Sequence, residues 1–234
     1  MNRISALAFA AAVLVTGGAY AADLQIPATP DKAMAMAVPS TWDGFYAGVN
    51  AGYGWASRSG DFEPAFAPPG SGPKFNYSLA GGLIGAQAGF NYELTDNFVV
   101  GVQVDADAAN INGTPTGLGN GNYNWLSTAT AKLGYATDKF LVYVDGGYAL
   151  AGLNFNGTFG CNFNQTDSGF TAGLGGAYKV TDNVSLDLSY NHIWFNNAQS
   201  SCTLPFGGGF PLQVNDNNLG ADVVKLGVNY KFGG

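Results

Sequence analysis

The chain is short of charge, of histidine and of cysteine, and beyond residue 21 it has no long apolar run. Asp, Glu, Lys and Arg together make up 11% of its 234 residues, well under the quarter or so usual in a soluble domain. A surface this poor in charge is ill suited to water on every side. One histidine and two cysteines leave too few ligands for a zinc site of ordinary spacing. With 16 acidic residues against 9 basic ones, a nucleic-acid partner is disfavoured. Nothing after residue 21 approaches the twenty or so apolar residues of a membrane helix, so any crossing must use strands. What the chain has instead is 35 Gly, 16 Phe, 12 Tyr and 4 Trp.

Residues 1–21 read as a secretory signal peptide. Arg3 supplies the positive start, residues 4–15 the apolar core, and Ala19-Tyr20-Ala21 the small-x-small cleavage site. Removing Arg3 leaves eight basic residues against sixteen acidic ones, a formal charge of −8. Residues 22–41 carry Pro27, Pro30 and Pro39 with no sustained strand or helix period, and read as a periplasmic linker. Residues 42–234 are the folded part.

The last stretch, 223–232, shows how that part is organised. Val224, Leu226, Val228, Tyr230 and Phe232 alternate with Val223, Lys225, Gly227, Asn229 and Lys231. Successive side chains of a strand point to opposite faces, so one face is apolar and the other small, polar or cationic. An edge this apolar must be paired, and 45–55 at the other end is its natural partner. Between them the chain repeats a strand, a very short turn, a strand and a long segment. The turns Thr95-Asp96-Asn97, Thr137-Asp138-Lys139 and Thr181-Asp182-Asn183 are near copies, with Asp and Asn suited to bonding their own backbone. Eight strands are expected, over 43–57, 79–94, 98–110, 125–136, 140–153, 168–180, 184–195 and 221–232. The segments 58–77, 111–124, 154–167 and 196–219, rich in Gly, Asn, Pro and Phe, read as loops.

Charge separates by face. The apolar registers are the odd positions of 45–55 and 125–135 and the even positions of 84–94, 98–108, 140–150, 170–180, 184–194 and 224–232. They hold no Asp, Glu, Lys or Arg. The opposite registers hold Glu93, Asp105, Asp107, Lys132, Asp145, Lys179, Asp187, Lys225 and Lys231. A charge facing mid-bilayer costs about 2–4 kcal/mol, so lipid accounts for the separation. A soluble barrel of lipocalin type has the reverse pattern. Aromatics of the apolar face collect near strand ends: Phe45, Tyr92, Phe98, Tyr135, Phe140, Tyr178, Tyr230 and Phe232 by the short turns and chain ends, and Trp55, Trp125, Phe170 and Trp194 by the long segments. These read as two interfacial girdles. The fold class is therefore all-β: an eight-stranded antiparallel transmembrane β-barrel of outer-membrane type, with short periplasmic turns and four long extracellular loops.

Catalytic chemistry is not indicated. His192, the sole histidine, falls in the lipid-facing register, while Asp187 and Ser189 on the same strand point the other way, so no triad forms. Gly81-Gly82, Gly175-Gly176 and Gly207-Gly208-Gly209 lack the strand–loop–helix setting of a phosphate cradle. Neither a cofactor nor a metal is expected. A barrel of eight strands is just wide enough for side chains to fill it, and Gln87, Gln103, Asp105, Lys132, Asp145 and Asn191 would occupy the axis. The lumen charges are expected to neutralise one another, with Lys132 between Asp105 and Asp145, Lys179 beside Asp187, and Lys231 close by. Cys161 and Cys202, an even pair in an exported chain, suggest a disulfide between the third and fourth long segments. Two functions fit: a structural envelope protein, or a narrow channel for small ions or water. Adhesion or host contact through the loops is a third.

The leader, the Pro-bearing linker, the block Trp42-Asp43-Gly44-Phe45-Tyr46-Ala47-Gly48, the Thr-Asp-Asn turns and the terminal Tyr230-Lys231-Phe232 together resemble the alphaproteobacterial small outer-membrane-protein family, single-domain opacity-like barrels often labelled "porin family". The resemblance covers the whole chain. It implies an outer-membrane location, contact with outer-membrane lipid and lipopolysaccharide, and delivery by the barrel-assembly machinery through the C-terminal strand. It also implies that an exposed Ala22-Asp23 start, freed by cleavage after Ala21, can be joined to peptidoglycan. The family usually stops at the terminal aromatic, whereas here Gly233 and Gly234 follow Phe232.

Overall fold

A computed structural model describes residues 42–64, 74–94, 97–113, 119–157, 162–196, 199–204 and 210–232. The leader, the linker, Thr95, Asp96, Cys161, Gly233 and Gly234 lie outside the described residues. The described chain is strand throughout apart from its turns: β1 (Gly44–Pro64), β2 (Lys74–Glu93), β3 (Phe98–Gly113), β4 (Gly119–Ala136), β5 (Phe140–Gly157), β6 (Asn162–Lys179), β7 (Val184–Phe195), β8 (Gln199–Leu204) and β9 (Phe210–Phe232). Strands β1 to β7 pair in sequence order, and β9 pairs back onto β1. Strands β7 and β8 lie one after the other along β9, from Val184 opposite Tyr230 to Leu204 opposite Phe210. They form one interrupted stave, so the barrel is closed and eight-stranded. Closure runs as the terminal alternation predicts, with Phe45 opposite Phe232 and Ala47 opposite Tyr230.

The two faces differ sharply. Val102 and Val104 are 57% and 56% exposed on the outer wall, while Gln103 and Asp105 between them are 8% and 4% exposed in the lumen. Lipid covers the first pair and side chains the second.

The strands run on beyond the expected boundaries. With 21 residues in β1 and 23 in β9, they are about twice the ten or so needed to cross a bilayer. Much of 58–77, 111–124, 154–167 and 196–219, expected as loop, is paired strand. Above the membrane neither face meets lipid, so the apolar alternation that marks a strand disappears while the backbone still pairs with its neighbour. Polar cross-strand ladders take over there: Asn122 donates to Asn110 Oδ1 at 3.1 Å and also to Asn112, and Asn154 faces Asn164. At Asn124 the register shifts against β3 and β5. This extra residue turns Tyr123 into the lumen while Trp125 stays on the wall.

In the turns the threonine does the work expected of Asp and Asn. Thr181 Oγ1 accepts from the amides of Asn183 and Val184 at 3.4 and 3.0 Å, and Thr137 Oγ1 accepts from Phe140 at 3.2 Å. The asparagines reach sideways instead, Asn97 to Ala136 O at 2.9 Å and Asn183 to Lys231 O at 3.0 Å, tying each turn to the neighbouring strand.

Candidate functional site

Three layers fill the lumen from the periplasmic end upward. In the first, Trp42 plugs the mouth. Its ring is buried with Val99, Ala136, Leu141, Tyr143 and Ala177. Its indole N–H donates to Thr137 O at 2.9 Å and its backbone N–H to Glu93 Oε2 at 3.3 Å. The Glu93 amide donates to Asp43, and Lys179 Nζ stands 4.5 Å over the Trp42 ring.

The second layer is a polar network. Lys225 bridges Asp105 at 2.6 Å and Asp107 at 3.4 Å. Gln103 donates to Asp105 and accepts from Tyr46 at 2.7 Å and from Lys132 at 2.6 Å. Lys132 Nζ also lies 4.2 Å over the Tyr143 ring, and the Tyr143 hydroxyl donates to Asp187 at 3.0 Å. Asn191 donates to Asp145 at 2.8 Å, Asn50 to Gln87 at 3.1 Å, and Gln87 to Asn229 at 2.6 Å. Tyr46 and Tyr143 fit because Gly89 and Gly175 lie beneath them, where a Cβ would collide with either ring.

The third layer is apolar. Leu79, Leu83, Ile111, Leu126, Leu153, Ile193, Leu219 and Val223 pack together with Tyr123 and Phe195. The last two rings stack at 6.1 Å with 10° between their planes. The Tyr123 hydroxyl donates to buried Asp167 at 2.6 Å, and Gln165 donates there too. Of the cavities among the described residues, one of about 40 Å³ lies between Trp42 and the polar layer and one of about 20 Å³ within the apolar layer. Each is room for a few waters at most.

The structure brings the expected lumen residues together but pairs them differently. Asp105 takes Lys225, 120 positions away, across the barrel interior. Among the described residues Lys132 donates to Gln103 and to neither Asp105 nor Asp145, although Lys132 and Asp145 are register partners. Lys179 faces Trp42, and Asp187 is satisfied by Tyr143. Strand adjacency suggested the expected pairs. In a barrel this narrow, side chains reach across the axis as readily as to their neighbours. The lumen is also not polar throughout, as the charged list implied.

The aromatics expected as girdles lie at the two ends of the wall. Phe45, Tyr92, Phe98, Tyr135, Phe140, Tyr178, Tyr230 and Phe232 are exposed at the periplasmic end of the wall, and Trp55, Phe170 and Trp194 at the outer end. Trp125 is half-buried because it lies flat over Gly152. Ring pairs link neighbouring strands, Phe98 with Tyr135 at 5.6 Å and Phe140 with Tyr178 at 5.0 Å. Cys202 belongs to β8 by its backbone, with its side chain, like all of Cys161, outside the described residues. Ala21, Ala22 and Asp23 lie outside them as well.

One cluster escaped the sequence reading. Asp222, on the outward register of β9, faces His192 of β7 and Trp55 of β1. Its Oδ1 accepts from the Tyr190 hydroxyl at 2.6 Å and lies 2.7 Å from His192 Nδ1. Extending the alternation of β9 back by one step, from Val224 to Asp222, would have found it.

Comparison with known proteins agrees with this geometry. The family described as "Outer membrane protein beta-barrel domain" matches residues 8–232. The chain is similar to a 31 kDa outer-membrane immunogenic protein of Brucella melitensis, 28% identical over 97% of this chain and 98% of that one. It is 25% identical to a 22 kDa outer membrane protein of Rhizobium leguminosarum, over 82% of this chain and 79% of that one. Among solved structures, outer membrane protein OprG of Pseudomonas aeruginosa shares the fold with a TM-score of 0.56, at 15% identity over 82% of this chain and 97% of that one.

Proposed function

Since the chain belongs to the outer-membrane β-barrel family and is an outer-membrane protein of the cell envelope, we propose that its role is structural: a closed stave in the membrane that presents its long outer strands and loops to the exterior and passes no solute. The observation that carries this reading is the filled lumen. A solute would have to displace Trp42, break the Lys225–Asp105–Asp107 bridge and part the stacked Tyr123 and Phe195. Breaking the buried ion pair alone costs about 3–5 kcal/mol, which makes spontaneous opening rare. Relatives named immunogenic favour outer ends that are reachable from outside.

Planar-bilayer recording on the purified, refolded chain tests the reading. The expected trace shows no steps above baseline. Reproducible ohmic steps would establish the narrow channel instead.

The same proposal places the N-terminal amine of Ala22 on the cell wall. Trp42, buried in the mouth, fixes the chain at its periplasmic end. The roughly twenty linker residues before it span up to about 65 Å when extended, and an α-amine with an ordinary pKa near 7.7–8.0 is partly unprotonated at neutral pH, as a transpeptidase acceptor must be. Trypsin digestion of washed sacculi should release a muropeptide carrying residues 22–32. Complete extraction of the protein by hot detergent with no such adduct would remove the tether and leave the membrane role.

A further inference from the structure

The outer wall of a membrane barrel is the last place where a carboxylate is expected, yet Asp222 faces outward there with His192 beside it. The two sit at the level of the outer girdle: Trp55 is the register partner of Asp222 on one side, and Trp194, two residues beyond His192, lies on the other. Trp194 touches the imidazole edge-on at 4.5 Å between ring centres. Near the interface a charge on the lipid face costs only about 0–1 kcal/mol, so the cluster is tolerable at this depth and would not be in mid-membrane.

Its internal arrangement is directional. Asp222 Oδ1 takes the Tyr190 hydroxyl and His192 Nδ1, at 2.6 and 2.7 Å. A histidine held through one ring nitrogen presents the other. Here that is Nε2, and beside it β9 carries Gly220, which has no side chain. A Cβ at that position would stand 3.6 Å from Nε2, so anything larger would cover it. The edge left open to the membrane interface is thus Nε2, with the Trp194 ring alongside. In its protonated form the ring offers Nε2–H to an acceptor while Nδ1–H stays on Asp222, and the strong acceptor at this depth of a bilayer is the phosphate of a lipid head group.

We propose that His192 Nε2, bordered by Trp194 and the bare backbone of Gly220, is a binding site for the phosphate of an outer-leaflet lipid. On binding, the ring takes up one proton from the hydronium and buffer pool of the solvent, and the imidazolium is held between two anions, giving Nδ1–H to Asp222 and Nε2–H to the phosphate. Tyr190 and Asp222 are positioning residues that fix the ring. The site does not depend on whether the lumen conducts.

The chain has one histidine, so labelling with [15N]histidine gives a single imidazole reporter. The full chain is refolded in alkyl-maltoside micelles, which contain no phosphate, and titrated separately with phosphatidic acid, with diacylglycerol of the same chains, and with inorganic phosphate. The expected result is a saturable shift of the Nε2 resonance with phosphatidic acid alone. No shift, or an equal shift with diacylglycerol, overturns the proposal. An equal shift with inorganic phosphate at matched concentration overturns the lipid as its source. Gly220→Val, which covers Nε2 and spares the bond to Asp222, is expected to lose the shift, and its retention also overturns the proposal. Where that variant does not fold, Trp194→Ala removes the ring that borders Nε2. Weaker binding is expected from it, and unchanged binding overturns the assigned border.

Discussion

The lower and upper halves of the lumen fill the same tube by different means. Below, Lys225, Asp105, Asp107, Gln103, Lys132 and Tyr46 form one hydrogen-bonded network, and beside it Tyr143 holds Asp187 and Asn191 holds Asp145. Above, Leu83, Ile111, Leu153, Ile193 and Phe195 pack as they would in a soluble core. The lower half is specified by direction, since each hydrogen bond needs its partner in place, and the upper half by volume. The lower half holds charges whose partners lie across the barrel, so it locks opposite staves together. The upper half lies where the strands rise towards the outer surface, and it keeps water out of the tube from that side. Its outer wall at the same height is the aromatic girdle.

The largest effect should come from breaking the direction-dependent half. Lys225→Met leaves Asp105 and Asp107 buried without their cation, which should cost about 3–5 kcal/mol. Urea unfolding in lipid vesicles, followed by tryptophan fluorescence, reads the loss. Adding Asp105→Asn and Asp107→Asn to that variant should recover most of it. If the triple variant stays as weak as the single one, the bridge is not what the lysine contributes.

In the volume-dependent half, Leu153→Ala should cost about 2–5 kcal/mol through the cavity it leaves, because Leu153 is 1% exposed. The same truncation on the wall at Leu188, 56% exposed, opens no cavity, since lipid tails fill the space. Equal losses at the two positions would mean that the upper lumen is not close-packed.

Charging the wall gives the next effect. Leu188→Lys puts an ammonium mid-strand on the lipid face, opposite Leu226, and should cost about 2–4 kcal/mol. The same residue type is accepted at Lys225 because a carboxylate waits for it. An unchanged unfolding midpoint for Leu188→Lys would remove this strand from the bilayer.

These halves were not equally legible in the sequence. Charged residues announce their face, so Asp105, Asp107, Lys132 and Lys225 marked the lower lumen and, by exclusion, the lipid side. The lipid-facing side followed from that count, while closure came from the alternation of 223–232 and strand order from the repeated turns. In the upper half both faces are apolar: Ile193 and Phe195 point inward on either side of outward Trp194, and Leu150 outward beside inward Ala151 and Leu153. Three apolar residues in a row carry no period of two, so nothing told plug from wall. The bulge at Asn124 reverses the register just where Tyr123 enters the lumen, which parity alone cannot foresee. Ion-pair partners were illegible for another reason: a sequence gives strand neighbours, whereas the width of the tube decides who meets across it.

The smallest effect compares one hydroxyl in each half. Tyr123→Phe removes the donor that reaches Asp167 at 2.6 Å inside the apolar layer, where the carboxylate is 2% exposed. A hydrogen bond to a charged group is worth about 1.5–3 kcal/mol, and Gln165 also donates to Asp167. Tyr46→Phe removes a donor to Gln103 Oε1 at 2.7 Å, but that oxygen keeps Lys132 at 2.6 Å. The group left behind is neutral and still partnered, so the loss should be about 0.5–1.5 kcal/mol, that of an ordinary neutral bond. Both variants keep the ring, so volume is nearly unchanged and the difference between them isolates polarity. Unfolding free energies measured side by side should therefore rank Tyr123→Phe as the more costly. The reverse ranking would mean that the lower network shares its load so tightly that one lost hydroxyl loosens all of it, while Asp167 draws its support from elsewhere in the upper half.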